Sequence, residues 1–141
     1  KTKPVFVVAT ANNVDLLPLE ILRKGRFDEI FFLDLPRKQE REQIFKIHIQ
    51  EFRPNRKESF DYSKLAQLSE SFSGAEIRQS IIEAMYTGFY EKREFTTEDI
   101  CLALTQLIPL SQFENNQTLK LKKWALSGQI RLASSKSISI N

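Results

Sequence analysis

Apolar and polar positions fall into two patterns, one on each side of Pro36. Pro4–Thr10 reads P-V-F-V-V-A-T, a near-continuous apolar run of the kind that fills a parallel strand buried on both faces. Asn12 and Asn13 end that run, since asparagine favours turns. Pro18 suits the first turn of a helix over about residues 18–24, and Gly25 stands just past its end as a C-terminal cap. A second apolar strand follows over Glu29–Leu35 and is stopped by Pro36. Beyond it the period becomes helical. Gln39–Glu51 places Ile44, Phe45, Ile47 and His48 on one face against a charged reverse side, and Phe52–Ser59 reads as a solvated loop. Asp61 caps a helix over Tyr62–Glu70 with Leu65 and Leu68 inward. Ser73 and Glu76 form a capping box for a helix reaching Tyr90, with Ile77, Ile81, Ala84, Met85 and Phe89 as its core stripe. Thr96 caps a further helix over Thr97–Leu107. The pattern predicts a strand–helix–strand unit over 1–36, a helical bundle over 37–108, and an extension over 109–141. That extension has a possible helix at 117–127 and a Ser-rich tail expected to be mobile.

Composition narrows the class. With 41% hydrophobic and 28% charged residues the chain reads as globular and soluble, and no apolar run approaches the length needed to cross a bilayer. One cysteine, Cys101, excludes an internal disulfide, and one histidine leaves no cluster for zinc, so no metal site is expected. The single cysteine suits a reducing compartment. A net charge of +3 is too small to argue for nucleic acid, and the Lys120, Lys122, Lys123 and Trp124 cluster reads as a solvated helix face. Abundant Phe, Ile, Lys and Asn fit an AT-rich genome such as that of a plastid. The chain moves within three residues of Lys1 into an interior-type strand, and is therefore expected to begin inside a domain.

Candidate chemistry concentrates in Asn12–Asp28. A polar amide at Asn12 emerges where a buried strand ends, and Arg23 and Arg26 flank Gly25 after a short helix. Guanidinium suits phosphate because it is planar, permanently charged and rich in donors, and phosphoryl transfer relies mostly on positioning and charge stabilisation. From spacing alone the plainer reading is that these arginines are cations favoured at a helix C-terminus, and that Asn12 is a turn former. His48 on an apolar helix face is as readily a packed core histidine as a ligand contact, and Cys101 reads as core.

Taken together, these residues resemble the AAA family of ATPases. The run V-V-A-T-A-N-N-V-D-L-L-P-L-E-I-L-R-K-G-R-F-D is similar to the family's second region of homology, with its sensor Asn and its R-x-G-R-F-D signature. L-P-R-K-Q-E-R-E-Q-I-F-K-I-H resembles the start of the helical lid, and Ser73-Gly74-Ala75-Glu76 resembles the lid's sensor-2 turn in the form without its arginine. The tail I-P-L-S-Q-F-E with L-K-K-W-A-L-S-G-Q-I-R-L-A-S is similar to uncharacterised AAA proteins of algal plastid genomes and cyanobacteria. The implied fold class is α/β. A C-terminal portion of a P-loop NTPase parallel sheet (sensor strand, finger helix, last strand) would be followed by an all-α lid.

The resemblance implies that Asn12 orients the attacking water and that Arg23 and Arg26 are arginine fingers reaching a neighbouring subunit's site. His48, Gly74 and Ala75 would line the nucleotide from the lid side. Asn13-Val14 departs from the family's usual Arg-Pro, and Asn12 is preferred over Asn13 because it lies three before Asp15, as in the family. The sequence contains no G-x-x-x-x-G-K-[ST] phosphate loop and no apolar strand ending in Asp-Glu to hold Mg²⁺. ATP and Mg²⁺ are therefore expected as cofactors of a full-length ATPase of which this is the C-terminal portion, and neither is expected for this chain alone, which should be inactive. The implied partners are copies of itself or other AAA subunits in a ring, usually of six, with an unknown protein client, no nucleic acid and no membrane span. Without an H-E-x-x-H signature a membrane-bound AAA protease is rejected. The expected location is the plastid stroma or a cyanobacterial cytoplasm. The competing reading is a non-enzymatic module that docks onto AAA subunits.

Overall fold

Apolar spacing after Pro36 is realised as helices wrapped on one core. The structure is a computed structural model that describes residues 4–11, 17, 18, 20, 25–113, 116–129 and 131–133. The chain divides into two compact units, Asp34–Glu114 on one hand and Lys1–Leu33 with Asn115–Asn141 on the other. It is mostly helical with one small parallel sheet, the fold class that the sequence implies for a C-terminal AAA portion with a helical lid.

In the unit Asp34–Glu114, helix α1 spans Lys38–Phe52 and begins where the Arg37 amide donates to the Glu40 carboxylate at 2.8 Å. Helix α2 spans Tyr62–Leu68 and is capped by Asp61, which accepts from the Lys64 amide at 3.0 Å. Helices α3, Gly74–Tyr90, and α4, Thr97–Gln106, both open on capping boxes, Ser73 with Glu76 and Thr96 with Asp99. Each box satisfies helix-terminal amides that have no partner within the helix. Phe45 and Ile49 of α1, Leu65 of α2, Ile77 and Ile81 of α3 and Ile100 of α4 meet in the core with no exposure.

Several positions differ from the sequence pattern. Ile47, Leu68 and Phe89, expected inward, are 63%, 45% and 84% exposed. The inward stripe of α1 runs through Arg41, Phe45 and Ile49, and Ile47 lies on the opposite side of that helix. In α3 the stripe is Ile77, Ile81, Ala84 and Gly88, which leaves Phe89 turned away. Leu68 lies at the edge of a short helix whose inward positions are Leu65 and Ala66. The solvated stretch after Phe52 contains a 3₁₀ turn, Pro54–Ser59, with no buried residue. Arg53, which precedes this turn, and Arg56, within it, reach Glu94 at 3.0 and 3.3 Å.

Arg41 is the unexpected core member. It is 7% exposed, its Nε and Nη2 donate to the Ala66 carbonyl at 3.0 and 2.9 Å, and its Nη1 donates to the Pro36 carbonyl at 2.8 Å. Burial lowers its pKa, and the charge of Glu70 works against that shift. Three donors on two carbonyls offset its desolvation.

The turn from α3 to α4 approaches α3 closely. The Arg93 amide donates to the Gly88 carbonyl at 2.9 Å, and Lys92 takes a left-handed φ of 55° to make the bend. Arg93 then grips Asp99 through Nη1 and Nη2 at 2.6 and 2.8 Å, while the Thr96 amide donates to the same carboxylate at 2.8 Å. The Arg93 guanidinium, first, and the Thr96 donors hold the Asp99 carboxyl down at about 2, against the opposing effect of burial. A depressed carboxyl pKa stabilises the fold above the unfolded-state value, and that contribution is lost as pH falls through the folded value. Asp99→Asn is therefore expected to lower stability by about 1–2 kcal/mol near pH 6, discounted for the partly exposed Arg93. Urea titrations at pH 6 and pH 2 check this: the gap from wild type closes at the lower pH, and a gap equal at both would refute the ion pair as its source.

In the second unit, β1, Phe31–Phe32, pairs in parallel with β2, Arg131–Leu132, in the register Phe31 to Arg131 and Phe32 to Leu132. The ladder is shorter than the expected Glu29–Leu35 strand. Glu29 engages the Arg131 guanidinium at 3.2 Å, and the Asp34 carboxylate takes the Leu35 amide at 2.8 Å, which diverts that donor from a ladder. The run Val5–Val8, expected as a buried strand, is 64–91% exposed and has no strand partner among the described residues. A strand buried on both faces needs neighbours and a covering layer that the two-residue ladder does not supply. Helix α5 spans Asn116–Trp124 and passes into a π-helical turn at Ala125–Gln129.

Candidate functional site

Two groups of predicted residues lie in different units. In the first, Gly25 adopts φ 94°, a backbone region costly for any residue with a Cβ, and so forms the turn that the sequence assigns to it. Arg26 follows within that turn, exposed, and makes no ion pair with any described residue. A guanidinium is a planar, permanently charged fork of a kind that suits a phosphate group. Asn12 and Arg23 lie outside the described residues.

The second group lies on α1 and at the N-terminus of α3. Gly74 is the first residue of that helix, and a Cβ there would stand 3.8 Å from Ile44 Cδ1 of α1. His48 sits one turn beyond Ile44 on the same helix, partly buried, with Nδ1 3.4 Å from Glu51 Oε2. Ala75 is exposed. The first turn of a helix presents amides without intrahelical partners and the positive end of the helix dipole, a combination suited to an anion.

One polar cluster near Gly74 was not visible in the sequence. Glu76 Oε2 accepts from the Ser73 amide at 2.7 Å and the Ser73 hydroxyl at 2.6 Å, while its Oε1 accepts from the Leu110 amide at 2.7 Å. Burial raises the Glu76 pKa, but the Leu110 amide and the two Ser73 donors outweigh it and hold the carboxyl below its ordinary value. The Ser–x–x–Glu spacing announces the cap, but the Leu110 contact joins positions too distant for any local signal.

A shallow groove of about 450 Å³ lies at the other end of α3, lined by Arg53, Met85, Phe89, Lys92 and Arg93 among others, and includes none of the predicted site residues. Among the described residues no group of His, Cys, Asp and Glu could hold a metal ion, and no helix is long and apolar enough to cross a membrane.

No protein-family model matches the chain. It is 82% identical over 141 residues to the uncharacterized AAA domain-containing protein ycf46 of Trieres chinensis, a match covering all of this chain and 28% of that protein. The protein of the same description from Gracilaria tenuistipitata var. liui is 56% identical over 134 residues, 95% of this chain and 27% of that one. The proteasome-activating nucleotidase of Saccharolobus islandicus is 35% identical over 104 residues, 73% of this chain and 26% of that protein. The chain thus spans between a quarter and a third of the length of the relatives it matches. The algal relatives are encoded in plastid genomes.

Proposed function

The chain belongs to the AAA family, to the C-terminal part of its module, and we propose that it supplies the sensor, finger and lid portion of an ATP-hydrolysing ring subunit. Arg26 and Arg23 reach the γ-phosphate held by a neighbouring subunit, and Asn12 orients the attacking water. Gly74, Ala75 and His48 face the nucleotide from the lid, which we take as residues 37–108. The observation that carries this reading is the exposed Arg26, without an ion-pair partner among the described residues, on a turn that only glycine makes comfortably. An arginine finger stabilises charge that develops only in the transition state, which suits a guanidinium that no described carboxylate engages.

ATP and Mg²⁺ are cofactors of the whole assembly in this reading, and this chain alone, without a phosphate loop, is inactive. The relatives' plastid genomes support a plastid location. Full-length protein is expected to hydrolyse ATP with a specific activity that rises with protein concentration, because a finger acting in trans needs a neighbour. Turnover assays run beside size-exclusion chromatography check this. A specific activity unchanged down to the monomeric range would sink the trans assignment. Binding to AAA subunits with no turnover at any concentration would make the chain a docking module instead.

A further inference from the structure

We infer that strand β2 is a positioning element for Arg26, acting through Arg131. The inference rests on the reading of Arg26 as an arginine finger. Gly25 gives the turn its bend, but a bend alone does not fix the path of the backbone that carries the guanidinium. Small misplacements of a group that acts in the transition state are costly in rate, so the chain beside it must be held. Past Arg26, one residue holds two successive positions. The Arg131 guanidinium reaches the Glu29 carboxylate at 3.2 Å, and the Arg131 amide donates to the Ile30 carbonyl at 3.1 Å. Glu29 and Ile30 lie between Arg26 and the first residue of β1. The Ala133 amide then donates to the Phe32 carbonyl at 3.0 Å and continues the ladder.

The side chains of Arg131 and Glu29 are 72% and 46% exposed, so their ion pair adds little to stability. Its contribution is to register. A slip of one residue in β2 would carry Arg131 to the opposite face of the sheet, away from Glu29. The pair therefore selects the alignment in which β2 takes the Ile30 and Phe32 carbonyls, and a ladder of two residues has few other bonds to select it. The segment after α5 thus sets where the strand that follows the Arg26 turn begins.

The test is steady-state ATP hydrolysis by full-length protein carrying Arg131→Gln or Ala133→Pro, each alone and with Arg26→Ala. Glutamine removes the charge and keeps the backbone amide, while proline removes the Ala133 donor at an exposed position. Each single variant is expected to lower kcat about three- to tenfold with KM for ATP within about twofold, the pattern of an interaction made only in the transition state. Neither is expected to lower kcat further in the Arg26→Ala background, because both act through that residue. Arg131→Lys, which keeps a cation for Glu29, is expected to recover most of the loss, and Tm is expected to hold throughout. An unchanged kcat in either single variant, beside the collapse expected of Arg26→Ala, overturns the inference and leaves the finger reading standing. A loss that persists in full in the Arg26→Ala background, or a fall in Tm with kcat and KM failing together, also overturns it, since β2 is then structural only. Wild-type turnover by Arg26→Ala overturns the finger reading itself, and the inference with it.

Discussion

Arg26→Ala in the full-length protein is expected to cut kcat for ATP hydrolysis by about 10³-fold or more. Nucleotide binding should stay close to wild type, because a finger contributes where charge builds in the transition state and little to the bound ground state. Arg26 is exposed, so its loss removes little packing, and it breaks no ion pair with a described residue. Surface substitutions of that kind change stability by about half a kcal/mol or less, and unfolding cannot account for the lost turnover. Arg26→Lys should recover little, since an ammonium lacks the planar pair of donors that matches a phosphoryl group. Single-turnover hydrolysis beside equilibrium ATP binding separates the two effects. Turnover at the wild-type rate in Arg26→Ala would remove the finger assignment.

Gly88→Ala carries the largest expected cost to stability. A Cβ at that position would stand 2.8 Å from the Arg93 carbonyl oxygen and 2.8 Å from the Phe95 amide nitrogen, with the Phe95 Cα at 3.2 Å. These are backbone atoms, and they cannot swing aside as a side-chain end can. The turn that holds them is fixed by the Arg93 amide on Gly88, by the bidentate grip on Asp99, and by Phe95, which is 1% exposed. Relief requires α3 and the turn to separate, which opens the core around Phe95. The expected loss is about 3 kcal/mol or more, the range of severe overpacking. For a unit of this size that corresponds to a fall in Tm of roughly 10–20 °C. Differential scanning calorimetry measures it, and a Tm within a few degrees of wild type would mean that the turn has room to move. Gly25 offers the contrast, since no described residue lies within 4 Å of its missing Cβ. There the penalty of alanine is conformational alone, about 1–2 kcal/mol.

What the sequence disclosed follows from how local each determinant is. The boxes at Ser73–Glu76 and Thr96–Asp99 and the cap at Asp61 were legible because donor and acceptor lie three residues apart. The glycine turn before Arg26 was legible for the same reason. Arg41 was not, because an arginine within K-Q-E-R-E reads as a solvated charge, and only its spacing of four and eight from Phe45 and Ile49 hints at the inward stripe. Phe89 misled in the opposite sense. Its size suggested core, but the neighbouring Gly88 takes the inward position so that the turn can approach. The apolar run Val5–Val8 has the composition of an interior strand, while burial depends on partners that a run cannot specify by itself. Of the candidate site, Arg26 stands as an exposed cation and Gly74 faces α1, whereas the hydrogen bond from the Leu110 amide to the Glu76 carboxylate depends on a long-range approach invisible to any short window.

Arg41 gives the beginning of the helical unit a property that its other end lacks. The contact there joins a guanidinium to two carbonyl oxygens, and neither kind of group gains or loses a proton in water. The start of α4 depends on a carboxylate that takes up a proton near pH 2. One anchor is thus indifferent to acid and the other has an acid limb, so strong acid loosens the Thr96–Asp99 end while Pro36 stays fastened to α2.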